Sequence, residues 1–413
     1  MKQQLLARIE RDQGRLTEFL RGFIRCRDLN PPGDTTAGAA YVRAFLEAEG
    51  LPFKVVAPMP NMPNFIATRH FGADGPHLVL NGHIDVFPVE APERWTHDPF
   101  GAELVDGRIY GRGACDMKCG TTASIFAYHY LHAMQDVLRG RLTLTVVSDE
   151  ETFGPWGTRY LMEHHAEEVL GDCCLNGEPS SPWTVRFGEK GLVWLRFRVS
   201  TPGGHGAFVH RSPNSIRIAM RLIEELQSLT ALQPEEPEEF IRALEESHDA
   251  MERAYGEGAA RVIRSMTLNI GTIQGGVKVN MIAASAEFTA DFRIPNGIRQ
   301  EEVVARIEAI LARYPEASME TIVSTRPNWC QPYHPMMDLV RENAKLVSGI
   351  VPERVVSPGG TDARLWRLAG VPGVVYGPSP HGMGSVDEYV SVEEFLHVVK
   401  CHALSAYDYL ARG

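Results

Sequence analysis

No apolar run in this 413-residue chain approaches the roughly 20 residues that a membrane-crossing helix needs, so no segment is expected to span a bilayer. The opening MKQQLLARIERDQGRL also lacks the uninterrupted apolar stretch of a secretion signal, because charges run through it and its apolar residues recur at helical spacing. A cytoplasmic protein is the expectation. Basic residues are in deficit, with 41 Lys and Arg against 52 Asp and Glu, a net of -11. A field of that sign repels phosphate backbones and anionic lipid, which argues against a nucleic acid or a membrane as partner. Cysteine is sparse and odd in number: the seven residues Cys26, Cys115, Cys119, Cys173, Cys174, Cys330 and Cys401 form no CxxC pair and no disulfide framework. Reduced thiols acting mostly as small apolar side chains fit that placement. Missing too are the GxSxG elbow of serine hydrolases, the HExxH of zinc peptidases, and the GxGxxG and GK[ST] loops that cradle phosphates. Repeats and low-complexity tracts are absent.

What remains is ordinary globular material, 44% hydrophobic and 23% charged, in a chain long enough for two cores. Short β-rich apolar runs at 76–86 and 141–148 alternate with a helix-like stretch at 117–134, which predicts an α/β layer with a mostly parallel, mixed sheet flanked by helices. The texture changes near Gly188. Residues 192–200, 266–273 and 284–293 alternate apolar and polar, and 213–229 and 301–314 carry helical periodicity, as an α+β domain with one exposed sheet face requires. After Pro327 the first texture resumes. The prediction is a catalytic domain formed by 1–187 and 328–413, with a second domain, 188–327, inserted into it. Residues 233–260, rich in Glu and Pro, are expected to form a solvated helical excursion on that insertion.

Five segments carry candidate chemistry. HLVLNGHIDVFP (77–88) ends an apolar strand with His83 and Asp85 two residues apart, a spacing that puts both side chains on one face and lets the carboxylate orient the imidazole. DGRIYGRGACDMKCG (106–120) places Asp116 after two glycine turns and just before a helix, where a plain N-cap is the competing role. TVVSDEET (145–152) sets three acids at a strand end; neighbours on an extended chain point oppositely, so Glu150 and Glu151 divide their tasks between water and metal. LNGEPSS (175–181) offers Glu178, and YGPSPHGMGSVDEYV (376–390) offers His381. Two histidines and three carboxylates at strand ends of an α/β fold stand where such folds place their sites. Asp116, Glu151 and Glu178 with a bridging hydroxide carry four negative charges, which two Zn²⁺ ions balance. Imidazole and carboxylate without thiolate suit zinc, with cobalt or manganese as substitutes.

The order HxD, then Trp95, Pro99 and Phe100, then DGRIYGRGACDMK, SDEE, GEPS and a late histidine resembles the acetylornithine deacetylase, succinyl-diaminopimelate desuccinylase, aminoacylase and glutamate carboxypeptidase family of di-zinc hydrolases over nearly the whole chain. The resemblance implies that Asp116 bridges the metals, that His83 and Glu178 hold one and Glu151 and His381 the other, and that Glu150 is the general base; Asp85, read above as orienting His83, is counted with Glu150 among the catalytic residues. It implies a cis peptide between Asp116 and Met117. One departure stands out: the position four residues before Glu388, where family members often carry the last histidine, is Gly384, so His381 must reach the metal from a differently shaped loop.

The inserted domain contains STPGGHGAFVH (200–210), which resembles the family's G-x-x-A-H segment, with Gly204 where alanine is usual. By that resemblance the domain acts as lid and dimerisation surface, and His205 reaches into the partner's active site to polarise the scissile carbonyl. Asn280 and Arg293 match positions that contact a substrate carboxylate, and Gly360 and Thr361 lie in GGTDAR (359–364), which resembles a substrate-side loop. The function implied is amide hydrolysis of a small N-acyl amino acid by a homodimer. Carboxypeptidase or dipeptidase action, or an unusual amine-releasing hydrolysis, are the rivals within enzymology, and a non-catalytic metal-bound binding protein is the rival outside it.

Overall fold

The computed structural model describes residues 1–72 and 74–411. The chain divides into two compact units, one made of Met1–Phe187, Trp329–Val355 and Thr361–Gly413, the other of Gly188–Asn328 and Val356–Gly360.

The first unit is built on a nine-stranded sheet. Its centre consists of four strands in the order Arg141–Val147, His77–His83, Cys173–Asn176 and Gly373–Val375, all parallel, while Asn64–His70 and Lys54–Val56 add an antiparallel flank. Parallel strands covered on both faces read as near-continuous apolar runs, and every residue of HLVLNGH is buried, its polar His77, Asn81 and His83 included. Helix Lys118–His132 and the C-terminal helix Val392–Ala411 pack together on one side. The first of these hides almost its whole circumference, which is why KCGTTASIFAYHYLH shows no amphipathic stripe. On the other side Trp366, from helix Ala363–Leu368, sits against Val79 and Cys174.

Parallel pairing brings the carboxyl ends of the strands to one edge. His83 lies opposite Val147 and Asn81 opposite Asn176. The loops that follow therefore open side by side. Helix Lys118–His132 comes close to one of them: a Cβ on Gly120 would stand 1.9 Å from the Gly177 carbonyl oxygen, so only glycine allows the helix start and the Glu178 loop to touch. Lys118, fully buried, fastens the same helix start with bonds to Asp28 Oδ2 at 2.6 Å and to the carbonyls of Cys26 and Phe23 at 2.8 and 3.0 Å.

The second unit is a four-stranded antiparallel sheet in the order Thr267–Gly275, Ser285–Ile294, Gly191–Ser200 and Ala317–Thr325. Helices Ser215–Gln227 and Gln300–Leu311 cover one face, where Leu195, Phe197, Leu222, Phe288 and Ile307 form the core. The opposite face carries the exposed pairs Arg196–Glu320 and Arg198–Glu287. The excursion at 233–260 is helical but not merely solvated. It forms Glu238–Glu246, His248–Tyr255 and Ala259–Arg264, which bury Phe240, Leu244, Met251 and Ile263. Widely spaced apolar residues within a Glu-rich tract line up on one side once the helices form. The buried Lys190 amine donates to the carbonyls of Val262 and Ser265 and ties the excursion down.

Among the described residues no helix is long and apolar enough to cross a membrane. Replacing Gly120 by alanine is predicted to lower stability by about 1–3 kcal/mol or more, the usual cost of forcing atoms into a filled core. Denaturant unfolding of Gly120→Ala beside Gly14→Ala, whose Cβ meets nothing within 4 Å, measures it; equal stability of the two contradicts the helix–loop contact.

Candidate metal centre

His83 ends its strand completely buried, and its imidazole is held from behind: Nδ1 donates to the Asp85 backbone carbonyl at 2.8 Å. The Asp85 carboxylate, expected to orient the ring directly, is 3.6 Å away, because the strand stops at His83 and the chain turns before Asp85. That carboxylate instead accepts from Asn30 Nδ2 at 2.9 Å and from the Glu151 backbone amide at 3.1 Å, tying the loop after His83 to the loop after Val147. The other amide hydrogen of Asn30 goes to Asp149 at 3.1 Å.

With Nδ1 committed, Nε2 faces the carboxylates. It lies 3.3 Å from Glu178 Oε1, 3.5 Å from Asp116 Oδ1 and 4.0 Å from Glu150 Oε2. His83, Asp116 and Glu178 each offer a ligand atom within 4.8 Å of the others. Nε2 nevertheless has no aligned hydrogen-bond partner, and neither has Glu151 Oε1. Two buried polar atoms left unpaired among acidic groups are what a cation site looks like with protein atoms alone.

Each side chain is placed by its own loop. Glu178 is set by a ladder of buried amides: Asn176 Oδ1 accepts the Glu178 amide hydrogen at 2.9 Å, and Asn176 Nδ2 donates to Asn81 Oδ1 at 2.7 Å. No side chain caps helix Lys118–His132, so the N-cap role is not filled by the Asp116 carboxylate, and the Asp116–Met117 peptide is cis. Glu150 and Glu151 sit in a turn beyond the strand, not on it, with Asp149 at φ +67°. Glu150 is buried and meets Arg364 Nη1 at 3.4 Å; that guanidinium stacks 4.4 Å over the Phe153 ring and stands 3.6 Å from Asp362.

The electrostatics are those of crowded carboxylates. Burial first, then the Glu178 and Asp362 charges, pushes the Glu150 carboxyl well up; burial and Asp116 do the same to Glu151. Glu178 is pushed up to about 7 by burial and Asp116. For His83 burial opposes the charge, but Asp116, Glu178 and Asp85 outweigh it and raise the imidazole well above its ordinary range.

The remaining sequence candidates have contacts of their own. The His381 ring stacks on Tyr389 at 4.5 Å, its Nε2 is 3.7 Å from Glu394, and its side chain is 39% exposed. His205 is exposed in the second unit, its Nδ1 accepting from the Ala207 amide at 3.2 Å. Asn280 is exposed there as well, and Arg293 pairs with Asp291 at 2.8 Å and donates to the Pro358 carbonyl at 3.3 Å. Gly360 belongs to the second unit, whereas Thr361 is buried in the first, where its Oγ1 accepts from the Ala363 amide. Sequence reasoning passed over Asn30, Arg112, Arg364 and Asp362. A buried arginine next to a candidate base leaves little trace in sequence, although GGTDAR did contain two of the four.

Residues 79–408 match the family described as peptidase family M20/M25/M40. A succinyl-diaminopimelate desuccinylase of Acidiphilium cryptum (strain JF-5) is 31% identical over 382 residues, covering 91% of this chain and 93% of that protein. An M20 family metallo-carboxypeptidase from Sulfolobus solfataricus has the same fold, with a TM-score of 0.82 at 18% identity over 95% of this chain and 98% of that one. A dipeptidase from Saccharomyces cerevisiae matches with a TM-score of 0.78 at 16% identity over 100% and 99%.

The raised Glu178 carboxyl gives a signed prediction for chelator-treated protein. A folded-state value near 7 means that the fold retains a proton which the unfolded chain releases near 4.5, so stability present at low pH is lost as pH climbs through that window. Glu178→Gln removes this loss. Its melting temperature relative to wild type, both metal-free, should rise between about pH 4.5 and 7; a difference that stays flat across the window contradicts the assignment.

Proposed function

Since the chain belongs to peptidase family M20/M25/M40 and is a hydrolase acting on C–N bonds, we propose that it is a dinuclear metal amidohydrolase that deacylates a small N-acyl amino acid. One observation carries the reading: the buried side chains of His83, Asp116 and Glu178 bring three ligand atoms within 4.8 Å of one another, and the buried Glu151 Oε1 has no hydrogen-bond partner among the described residues. The donor set fits divalent zinc. His83 and Glu178 would hold one ion and Glu151 the other, with Asp116 shared between them. His381, whose Nε2 stands 3.7 Å from Glu394, would complete the second set.

A bound pair of zinc ions supplies two things to amide hydrolysis, a water of lowered pKa and polarisation of the carbonyl. The rest falls to side chains. Glu150, buried and unligated in this assignment, takes the proton from the attacking water and hands it to the departing amine. Its raised proton affinity suits that second act. Arg364 holds the carboxylate from behind and so limits its rotation. Asp85 keeps His83 and the Glu151 loop in place through the contacts already described.

In this reading His205, Asn280, Arg293, Gly360 and Thr361 address the substrate, His205 acting on the partner subunit's site in a homodimer. Ile273, Val277, Val279 and Met281 on the second unit expose apolar side chains, Val279 completely, and such a patch on an edge strand and its loop suits a subunit contact. The 31% identical relative, named for removing a succinyl group, supports an acylated amino acid as substrate.

Hydrolysis of N-acetyl, N-succinyl, N-formyl and aromatic-acyl amino acids together with dipeptides, assayed with Zn²⁺, Co²⁺ or Mn²⁺, tests the function. Turnover of an acyl amino acid is expected. Turnover of dipeptides alone replaces the deacylase reading with a dipeptidase, and metal binding without any turnover replaces it with a binding protein. Glu150→Ala should keep the wild-type metal content and lose roughly 10²- to 10⁴-fold in kcat. Near wild-type kcat in that variant removes Glu150 from the mechanism.

A further inference from the structure

Glu388 is one of the most deeply buried carboxylates of the chain, fully hidden from solvent, and none of the roles above uses it. Both of its oxygens are engaged. Oε1 accepts from two successive backbone amides, Cys115 at 3.0 Å and Asp116 at 3.2 Å, and lies 3.4 Å from the Cys115 thiol. Oε2 takes Arg112 Nη1 at 2.6 Å, and Arg112 in turn lies 5.3 Å over the Trp95 ring and donates to the Pro88 carbonyl at 3.4 Å. The backbone joins in: the Gly111 amide donates to the Glu388 carbonyl at 2.8 Å, and the next amide, of Tyr389, donates to the His381 carbonyl at 3.2 Å.

A carboxylate that faces no open space and touches no candidate ligand side chain would be an odd acid to bury unless its place mattered. Its two amide contacts fall on the peptide groups that set the direction of the Asp116 side chain. Its own segment, 376–390, is the one that carries His381. We propose that Glu388 is the positioning residue of the metal centre: by gripping the Cys115–Asp116 backbone it aims the Asp116 carboxylate at His83 and Glu178, and it fixes the His381 loop to the same turn. Arg112 balances the charge so that the grip can be buried. The inference rests on the dinuclear reading and adds to it a cause for the aim of its shared ligand.

The probe is Co²⁺, titrated calorimetrically into metal-free protein, with melting of the metal-free forms as control. Wild type must bind Co²⁺ first; if it does not, the dinuclear reading itself fails, before Glu388 comes into question. Replacing the buried pair together, Glu388→Met with Arg112→Met, removes the grip without leaving a lone charge. A folded double variant should bind Co²⁺ about 10- to 100-fold more weakly, the usual effect of removing a partner that orients a ligand, with kcat reduced more than KM is raised. Arg112→Lys, which keeps a cation beside Glu388 and leaves the amide contacts alone, should stay within about threefold of wild type. Wild-type Co²⁺ affinity in the folded double variant overturns the proposal, and so does a loss in Arg112→Lys as large as in the double variant. Should the double variant not fold, Glu388→Asp decides. It keeps the charge but is one methylene too short to serve Arg112 and the amides together, and unchanged Co²⁺ affinity there also overturns the proposal.

Discussion

Everything in the first unit answers to one electrostatic difficulty: several carboxylates are held around a single imidazole, out of water. Like charges about 4 Å apart repel by roughly 4 kcal/mol at an effective dielectric of 20. Left to themselves the loops carrying Asp116, Glu150, Glu151 and Glu178 would separate. What keeps them together is a set of neutral or balanced contacts behind the site. Asn30 spans Asp85 and Asp149, the Asn81–Asn176 pair sets Glu178, and Lys118 locks the helix start to Asp28. The scaffold holds the charges close, and a cation is the counterpart that such closeness calls for.

The parallel sheet explains why these loops meet at all. Strands paired in register deliver their carboxyl ends to one edge, so acids nearly a hundred residues apart in sequence open onto the same space. Gly120 and Gly177 then remove the last obstacle, since a side chain on Gly120 would drive the Asp116 turn away from the Glu178 loop. Burial and repulsion, acting on that arrangement, raise the carboxyls of Glu150, Glu151 and Glu178.

Much of the fold class was legible because apolar texture follows environment. Continuous runs such as HLVLNGH mark strands covered on both faces, and the alternation of Leu192 to Ser200 marks a sheet with one wet face. His83 and Glu178 come together as the ends of neighbouring parallel strands, whereas Asp116 reaches them from the turn that opens helix Lys118–His132. Local geometry was less legible. The HxD spacing spoke for a side-chain contact, yet the strand ends at His83 and the backbone carbonyl of Asp85 makes the bond. Glu150 and Glu151 were read on an extended chain and stand in a turn. The orientation of His381, which stacks on Tyr389, was not legible either, since spacing within a glycine-rich loop with positive φ at Gly382 and Gly384 says little about where a ring will point. The supporting residues were the hardest to see, because Glu388 meets Arg112 and the Cys115 amide across more than 270 positions of sequence.

The most direct examination of the account is diffraction from crystals soaked in Zn²⁺, with anomalous differences recorded at the zinc edge. Two peaks roughly 3.5–4 Å apart are expected, the spacing of co-catalytic metal pairs, with one oxygen of Asp116 directed at each and His83 Nε2 on one of them. A single peak, or a pair that leaves Asp116 to one side, would contradict the central claim.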